Sequence, residues 1–305
     1  MNNGEDSLLP GGAAEVLRGC DLVCVLGPTA SGKTRYAVEL ARRCGGEILS
    51  GDSRQVYCGM DIGTGKDLSD YGEVPYHLID IADAGEKYNI YRYQRDFEAA
   101  YRDIVSRGRV PILCGGSGLY LEAATCGYYL PDVPANPKLR AELETLPTET
   151  LIARYEALRT PHNTTDYDTR QRLIRALEIA VYEESHPVTH TAFLPKKTRY
   201  IGLLVSREVR NARIDARLEA RLQEGMVDEV RGLLERGIPP EDLIYYGLEY
   251  KYLTLYLTGA LGYDEMVSKL RIAIHQFAKR QMTWFRGMER DGIKIHWVLP
   301  SSLSF

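Results

Sequence analysis

Gly27-Pro28-Thr29-Ala30-Ser31-Gly32-Lys33-Thr34 fits the pattern G-x-x-x-x-G-K-[ST]. It lies between the apolar run Asp21 to Leu26, which ends in glycine, and a segment of helical spacing, Lys33 to Arg43. In that segment Tyr36, Ala37, Leu40 and Ala41 fall on one face. The glycines let backbone N–H groups turn inward around an anion. The helix N-terminus adds its dipole, Lys33 adds a point charge, and the Thr34 hydroxyl suits Mg²⁺. A chance glycine-rich turn is the alternative, and the register of strand, helix and lysine argues against it. The motif specifies a polyphosphate ligand; it specifies neither ATP nor hydrolysis.

Outward from this loop, strands and helices alternate. Short strands are expected at Glu47 to Ser50, Tyr76 to Ile81 and Val110 to Leu113, with an amphipathic helix from Ile90 to Ser106 stopped near Gly108. Another helix follows Ser117. The alternation predicts an α/β fold, a P-loop NTPase-like parallel sheet flanked by helices. The rhythm breaks after Cys126. Pro131, Pro134 and Pro137 interrupt it, and helices are expected near Lys138 to Glu144, Glu149 to Leu158 and Asp168 to Glu184. The next strand is Arg199 to Val205. Helices then run from Val209 to Gln223 and from Val227 to Arg236. Beyond a polar loop at Pro239-Pro240, helical patterns continue to Arg286, and Ile293 to Val298 is a last strand. Residues 1–126 and 199–305 therefore read as a catalytic core with C-terminal helices, and 127–198 as an inserted helical subdomain.

Composition bounds the function classes. The chain has 305 residues, 44% of them hydrophobic and 26% charged, which excludes wholesale disorder. The net charge of −4 excludes a uniformly basic coat but not a locally basic groove. No apolar run approaches the ~20 residues that span a bilayer. Met1 to Glu15 has no signal-peptide pattern and is expected to be a flexible lead-in. Cys20, Cys24, Cys44, Cys58, Cys114 and Cys126 show no metal spacing, so reduced thiols in a cytoplasmic protein are expected. His162, His186, His190, His275 and His296 show none either, and are expected at the surface or as satisfied core residues.

Three further segments carry candidate chemistry. The run Ser50-Gly51-Asp52-Ser53-Arg54-Gln55-Val56-Tyr57 follows the second strand, and Gly59-Met60-Asp61-Ile62-Gly63-Thr64-Gly65-Lys66 follows it. Ligands of such sheets lie outside the carboxyl ends of the strands, where Asp52 stands. It suits a general base or a holder of metal-bound water, or equally a helix N-cap. Asp80, ending Leu78-Ile79-Asp80, is expected at a strand terminus, behind Mg²⁺ or capping a turn. Gly115-Gly116-Ser117-Gly118 offers close backbone approach and one hydroxyl, or an N-cap.

Cations group in three sets. These are Arg170, Arg172 and Arg175; Arg207, Arg210, Arg213, Arg217 and Arg221; and Lys279, Arg280 and Arg286 around Trp284. Arg210, Arg213, Arg217 and Arg221 share a helix face, which either meets an anion or is a solvated stripe paired with Asp215 and Glu219. The last set mixes cations with aromatics, as RNA-binding surfaces do, although Trp284 and Phe285 also suit a core.

In this order, these segments resemble the tRNA dimethylallyltransferases (tRNA isopentenyltransferases) of bacterial type. The resemblance runs from about Leu22 to Val298. It rests on Gly27–Thr34, Asp52–Tyr57, Gly59–Thr64, His77–Asp80, Gly115–Tyr120, Arg175–Glu178, the Arg213/Arg217 helix, Tyr263–Met266, and Lys279-Arg280-Gln281-Met282-Thr283-Trp284-Phe285-Arg286. It implies a transferase that moves a dimethylallyl group from dimethylallyl diphosphate to N6 of the adenosine 3′ of the anticodon. The tRNAs concerned read codons beginning with U, and diphosphate is released. The resemblance implies that Asp52 accepts the amine proton, Ser117 touches the bridging oxygen, Arg217 steadies the leaving group, and Gly27, Pro28, Thr29, Ala30, Ser31, Gly32, Lys33 and Thr34 hold the diphosphate with Mg²⁺ on Thr34. It assigns contacts with the tRNA anticodon stem-loop to Asp52, Ser53, Arg54 and Gln55 and to Gln171, Arg172, Leu173, Ile174 and Arg175. The segment with Lys279, Arg280, Gln281, Trp284 and Arg286 joins them, and the insertion is expected to clasp the stem. A monomer is expected.

The chain departs from the family at Ser117, where threonine is usual, and at Gly247-Leu248-Glu249-Tyr250, where the family has Ile-Gly-Tyr. Three other functions compete. Prenylation of free adenine nucleotides leaves the insertion and late basic segments without a partner. A small-molecule kinase leaves Lys279–Arg286 unexplained. A non-catalytic RNA-binding module leaves Asp52 and the P-loop idle.

Overall fold

The computed structural model describes residues 19–127, 133–158, 169–186, 193–195 and 197–299. The expected lead-in Met1 to Glu15, together with Pro131, His162, Asp168 and His190, lies outside the described residues. The described chain divides into two compact units, Met1–Gly127 with Phe193–Phe305, and Tyr128–Ala192.

In the first unit the elements are β1 (Leu22–Leu26), α1 (Lys33–Cys44), β2 (Gly46–Ser50), β3 (Tyr57–Cys58), β4 (Tyr76–His77), β5 (Ala82–Asp83), α2 (Ile90–Ser106), β6 (Val110–Gly115) and α3 (Gly118–Thr125). The second unit contributes α4 (Pro137–Glu144), α5 (Thr148–Leu158) and α6 (Arg170–Ser185). The first unit resumes with β7 (Thr198–Leu203), α7 (Arg207–Gln223), α8 (Met226–Glu235), α9 (Pro240–Tyr245), α10 (Leu248–Leu257), α11 (Tyr263–Arg290) and β8 (Ile295–Val298).

The main sheet has the strand order β4-β2-β6-β1-β7-β8, and each neighbouring pair is parallel. β1 is buried along its whole length, as a strand covered on both faces must be. Its side chains alternate between two cores. Leu22, Cys24 and Leu26 join Leu49, Leu113, Phe97 and Leu121 on one side. Val23 and Val25 join Ile48, Ile112, Tyr36, Ala37 and Leu40 on the other. α2 and α7 start at side-chain caps: Arg92 N–H donates to Asn89 Oδ1 at 2.9 Å, and Val209 N–H to Ser206 Oγ at 3.3 Å.

The expected third strand, Tyr76 to Ile81, is not one strand. Only Tyr76 and His77 pair with β2. Leu78 (φ 65°) and Asp80 (φ 55°) then enter the left-handed region, and Ala82–Asp83 pair with Tyr57–Cys58 in a separate two-stranded sheet. Two contacts explain the break. Leu78 and Ile79 sink into different cores, and the Asp80 carboxylate turns to meet Lys66. Pro240, read as part of a loop, opens α9 at a position where its missing N–H costs nothing.

In the second unit, α4, α5 and α6 bury Leu143, Leu151, Tyr155, Leu173, Ile174 and Leu177 together. Glu178, 2% exposed, lies among them. It accepts from Arg140 at 3.0 and 2.7 Å and from Asn136 N–H at 2.5 Å, and it also pairs with Arg175. These donors offset the cost of burying its charge and hold the carboxyl down to about 2. Among the described residues no helix is long and apolar enough to cross a membrane.

Candidate active site

Because β1, β2 and β6 run parallel and in register (Leu26 beside Gly115, Ser50 beside Cys114), the turns that follow them converge on one edge of the sheet. That edge holds the P-loop, Asp52 and Ser117. A Cβ on Gly115 would stand 2.3 Å from the Gly51 carbonyl oxygen, so the two turns cross where only glycine fits. The cavity there is about 820 Å³. Its walls include Lys33, Thr34, Asp52, Ser117, Arg217 and Trp284.

In the P-loop, Ala30 (φ 61°) and Gly32 (φ 85°) adopt left-handed backbone, which curls the loop ahead of the first turn of α1. Thr29 N–H is held by Gln281 Oε1 at 2.8 Å, and Gln281 Nε2 donates to the Gly116 carbonyl at 2.9 Å. Gln281, assigned to RNA by the resemblance, thus ties the P-loop to the β6 turn. Burial lowers the Lys33 ammonium, and nearby Cys114 and Asp52 pull it back.

Asp52 lines the cavity and caps a turn, not a helix. Its Oδ1 accepts Arg54 N–H at 2.9 Å, capping its own turn, and no helix follows. Among the described residues its other oxygen carries no hydrogen bond. Ser117 Oγ accepts Ser53 N–H at 3.2 Å and lies 3.4 Å from Ser53 Oγ, so the Asp52 loop is stitched to the third turn. Gln55 joins it to the next loop, accepting from Ser50 Oγ at 2.9 Å and donating to the Gly65 carbonyl at 3.1 Å.

The arginine face of α7 divides. Arg217 Nη2 donates to Asp67 Oδ2 at 2.9 Å, and Arg221 reaches the same oxygen at 3.4 Å. Arg213, Arg217 and Arg221 all line the cavity. Burial and the neighbouring Arg221 charge lower the Arg217 guanidinium. Asp215 and Glu219 do not pair with this stripe; they face His275 at 2.9 Å and Arg271 at 3.5 Å on α11. The self-paired solvated stripe is therefore corrected.

Several residues that build the site escaped the sequence reading. A Cβ on Gly65 would lie 2.0 Å from Arg221 Nη2 and 2.3 Å from Arg217 Nη2, so Gly65 is the floor on which both guanidinium groups lie. The loop carrying it is fixed from two sides. Glu229 accepts the N–H groups of Asp61 (2.8 Å), Ile62 (2.7 Å) and Gly63 (3.1 Å) and the Tyr250 hydroxyl (2.6 Å). Lys66, 1% exposed, donates to the Tyr57 carbonyl at 2.6 Å, to Asp61 at 2.6 Å and to Asp80. Asp80 is therefore the anchor of a buried lysine and lies outside the cavity walls. The G-M-D-I-G-T-G-K run of Gly59 to Lys66 was the one available signal for this loop. Glu249 also lines the cavity, and burial raises its carboxyl.

The remaining expected RNA contacts scatter. Arg280 and Trp284 line the cavity; Lys279 and Arg286 are exposed but outside its walls. Trp284 keeps 41% exposure, donates its indole N–H to Glu122 at 2.8 Å and lies against Gly118, whereas Phe285 is core. On α6, Gln171 and Arg172 are exposed and Arg175 holds Glu178 and the Val133 carbonyl. Leu173 and Ile174 are buried in the helical unit, so their side chains are unavailable to RNA. They occupy the apolar face that packs α6 on α4 and α5.

Residues 55–288 match the family model described as IPP transferase, and residues 20–72 match that described as isopentenyl transferase. A protein of Porphyromonas gingivalis called tRNA dimethylallyltransferase 1 is 58% identical over 91% of this chain and 93% of its own length. A protein of the same name in Geotalea uraniireducens is 52% identical over 92% of each chain. Among solved structures, a tRNA isopentenylpyrophosphate transferase of Bacillus halodurans superposes with a TM-score of 0.68 at 34% identity, over 93% of this chain and 91% of that one. A eukaryotic dimethylallyltransferase acting on tRNA shares the fold at a TM-score of 0.74 and 24% identity, over 92% and 75%. With the P-loop, Asp52 and the arginine pair around one cavity, the chain belongs to the tRNA isopentenyltransferase family.

Proposed function

We propose that this protein transfers a dimethylallyl group from dimethylallyl diphosphate to N6 of the adenosine immediately 3′ of the anticodon, in tRNAs that read codons beginning with U. The observation that carries the reading is the meeting, in one cavity, of a phosphate cradle and a carboxylate with an uncommitted oxygen. An exocyclic amine is a weak nucleophile because its lone pair is delocalised into the ring. As N6 bonds to the allylic carbon, the carbon–oxygen bond to diphosphate breaks, the oxygen keeps the electron pair, and Asp52 takes the proton from nitrogen. Negative charge grows on the departing oxygen. Lys33, the P-loop N–H groups, Arg217 and the Ser117 hydroxyl would be its donors.

Mg²⁺ fits this donor set. Among the described residues no three His, Cys, Asp or Glu side chains form a resident metal site. Mg²⁺ commonly binds through one or two protein oxygens plus substrate phosphates. The Thr34 hydroxyl is the oxygen this chain would offer, and the ion, when bound, would supply charge neutralisation to the leaving group. The adenosine must leave its stack to reach the cavity, and Arg54, Arg280 and Trp284, which line it, would receive the loop. We place the enzyme in the cytoplasm as a monomer, a setting that suits its free cysteines.

Labelled dimethylallyl diphosphate with Mg²⁺, offered to unmodified tRNA and to AMP in parallel, tests the reading. Label enters tRNA. Label in AMP alone transfers the chain to the free-nucleotide class. Asp52→Ala abolishes turnover while tRNA binding, measured by filter retention, stays within a few-fold; wild-type turnover would reject Asp52 as base.

A further inference from the structure

Tyr245 has no role in anything described so far. It ends α9, its side chain 57% exposed, more than that of any other exposed large aromatic among the described residues. A lone exposed tyrosine means little, because apolar atoms make up much of any protein surface. Its surroundings distinguish this one. The adjacent Tyr246 is buried and clamped, donating to the Glu86 carbonyl at 2.8 Å and accepting Gly85 N–H at 2.8 Å. One step along the helix turns the next side chain about 100° away, so Tyr245 leaves the core where Tyr246 enters it. The guanidinium carbon of Arg54 lies 5.5 Å from the centre of the Tyr245 ring. Arg54, Ile244, Tyr246 and Gly247 all line the cavity, which puts Tyr245 at its rim. At Gly247 the backbone (φ 142°) passes close to Arg54; a Cβ there would stand 3.6 Å from Nε.

We propose that Tyr245, with Arg54 on its ring, is a stacking platform for a nucleobase of the RNA loop, one flanking the adenosine that enters the cavity. The proposal rests on the tRNA-modifying reading above. An extruded base leaves its neighbours unstacked, and unstacked bases settle on aromatic rings and guanidinium planes. A phenol ring fixed by a helix end and partnered by a cation offers such a surface with little entropy to lose. Because every base has a π-face, the platform serves different loop sequences. It acts on RNA binding and leaves the diphosphate end untouched.

Steady-state kinetics on full-length tRNA, with Tyr245→Ala, Tyr245→Leu, Tyr245→Phe and Tyr245→Trp, test this. Tyr245→Ala and Tyr245→Leu raise the KM for tRNA about tenfold to a hundredfold, with kcat, the KM for dimethylallyl diphosphate and the melting temperature near wild type. Tyr245→Phe and Tyr245→Trp restore the KM, which a role in mere apolar covering would not require. An anticodon stem-loop carrying 2-aminopurine beside the acceptor adenosine is quenched on binding the wild type and Tyr245→Phe, and less by Tyr245→Ala. A wild type that labels tRNA, with Tyr245→Ala matching its KM, overturns the platform alone. A wild type that labels no tRNA overturns the prenylation reading and the platform with it.

Discussion

Arg217 shows what position does to an arginine. Its planar fork lies on Gly65, is held by Asp67, and opens on the cavity. A lysine at that position keeps the charge but not the fork. Arg217→Ala should lower kcat by about 10²- to 10³-fold, as loss of one donor to a developing oxyanion commonly does. Arg217→Lys should recover part of it, and single-turnover rates with saturating tRNA are the measurement. Equal loss in both variants would mean that the fork is indispensable; no loss would remove Arg217 from the reaction. Arg217 was legible in the sequence because the spacing of the arginines puts them on one face and the family pattern singles out one. Glu229 was not. Its partner Asp61 lies 168 residues away, and nothing local marks a glutamate that will collect three backbone N–H groups. The role of Lys66, quoted only as the end of its run, was hidden for a related reason, since a buried lysine is legible only when its three acceptors are known.

Helices and central strands were the readable elements, because the period of their apolar residues is set by the elements themselves. β1, α1, α2 and β6 follow that period closely. The segment Tyr76 to Ile81 has the same apolar character, yet the chain turns left-handed twice within it. Alternation reports which side chains are buried, and Leu78 and Ile79 are buried without being a strand. The edge of β2 carries a second lesson. Glu47, 2% exposed, accepts from Arg107 and pairs with His77 at 2.7 Å. Hydrogen bonds from Arg107 chiefly, and His77, outweigh burial and bring its carboxyl down to about 2. A folded value below the unfolded one adds stability above about pH 4.5, and that stability is lost as the pH falls toward 2. Glu47→Gln should therefore cost about 2 kcal/mol at neutral pH. Its stability should then fall less steeply than the wild type's between pH 4.5 and 2. Urea midpoints at several pH values measure this, and parallel curves would refute it.

Across the whole molecule the net charge of −4 is a poor guide to partners. Acids such as Asp215, Glu219, Glu178 and Glu229 are engaged by the chain's own groups, each facing a cation, a hydroxyl or backbone N–H groups. Arg54, Arg213, Arg217, Arg221 and Arg280 meanwhile line one cavity. Binding of RNA should therefore be strongly salt-dependent despite the acidic average. Each phosphate neutralised contributes roughly 0.7 to 0.9 to the slope of log K against log salt. Between about 50 mM and about 200 mM KCl the KM for tRNA should rise at least tenfold; a flat profile would place the RNA elsewhere.

The pairing of Asp67 with Arg217 and Arg221 has a consequence for turnover. A cationic clamp left bare would grip diphosphate before the reaction and pyrophosphate after it, with little reason to let go. Here the clamp already has an occupant, a side chain tethered beside it and 49% exposed. Under the proposed reaction, loading and emptying the site would be an exchange of one anion for another, and the net grip a difference between two attractions. An enzyme whose product keeps the most charged part of its substrate needs such a counterweight in order to cycle.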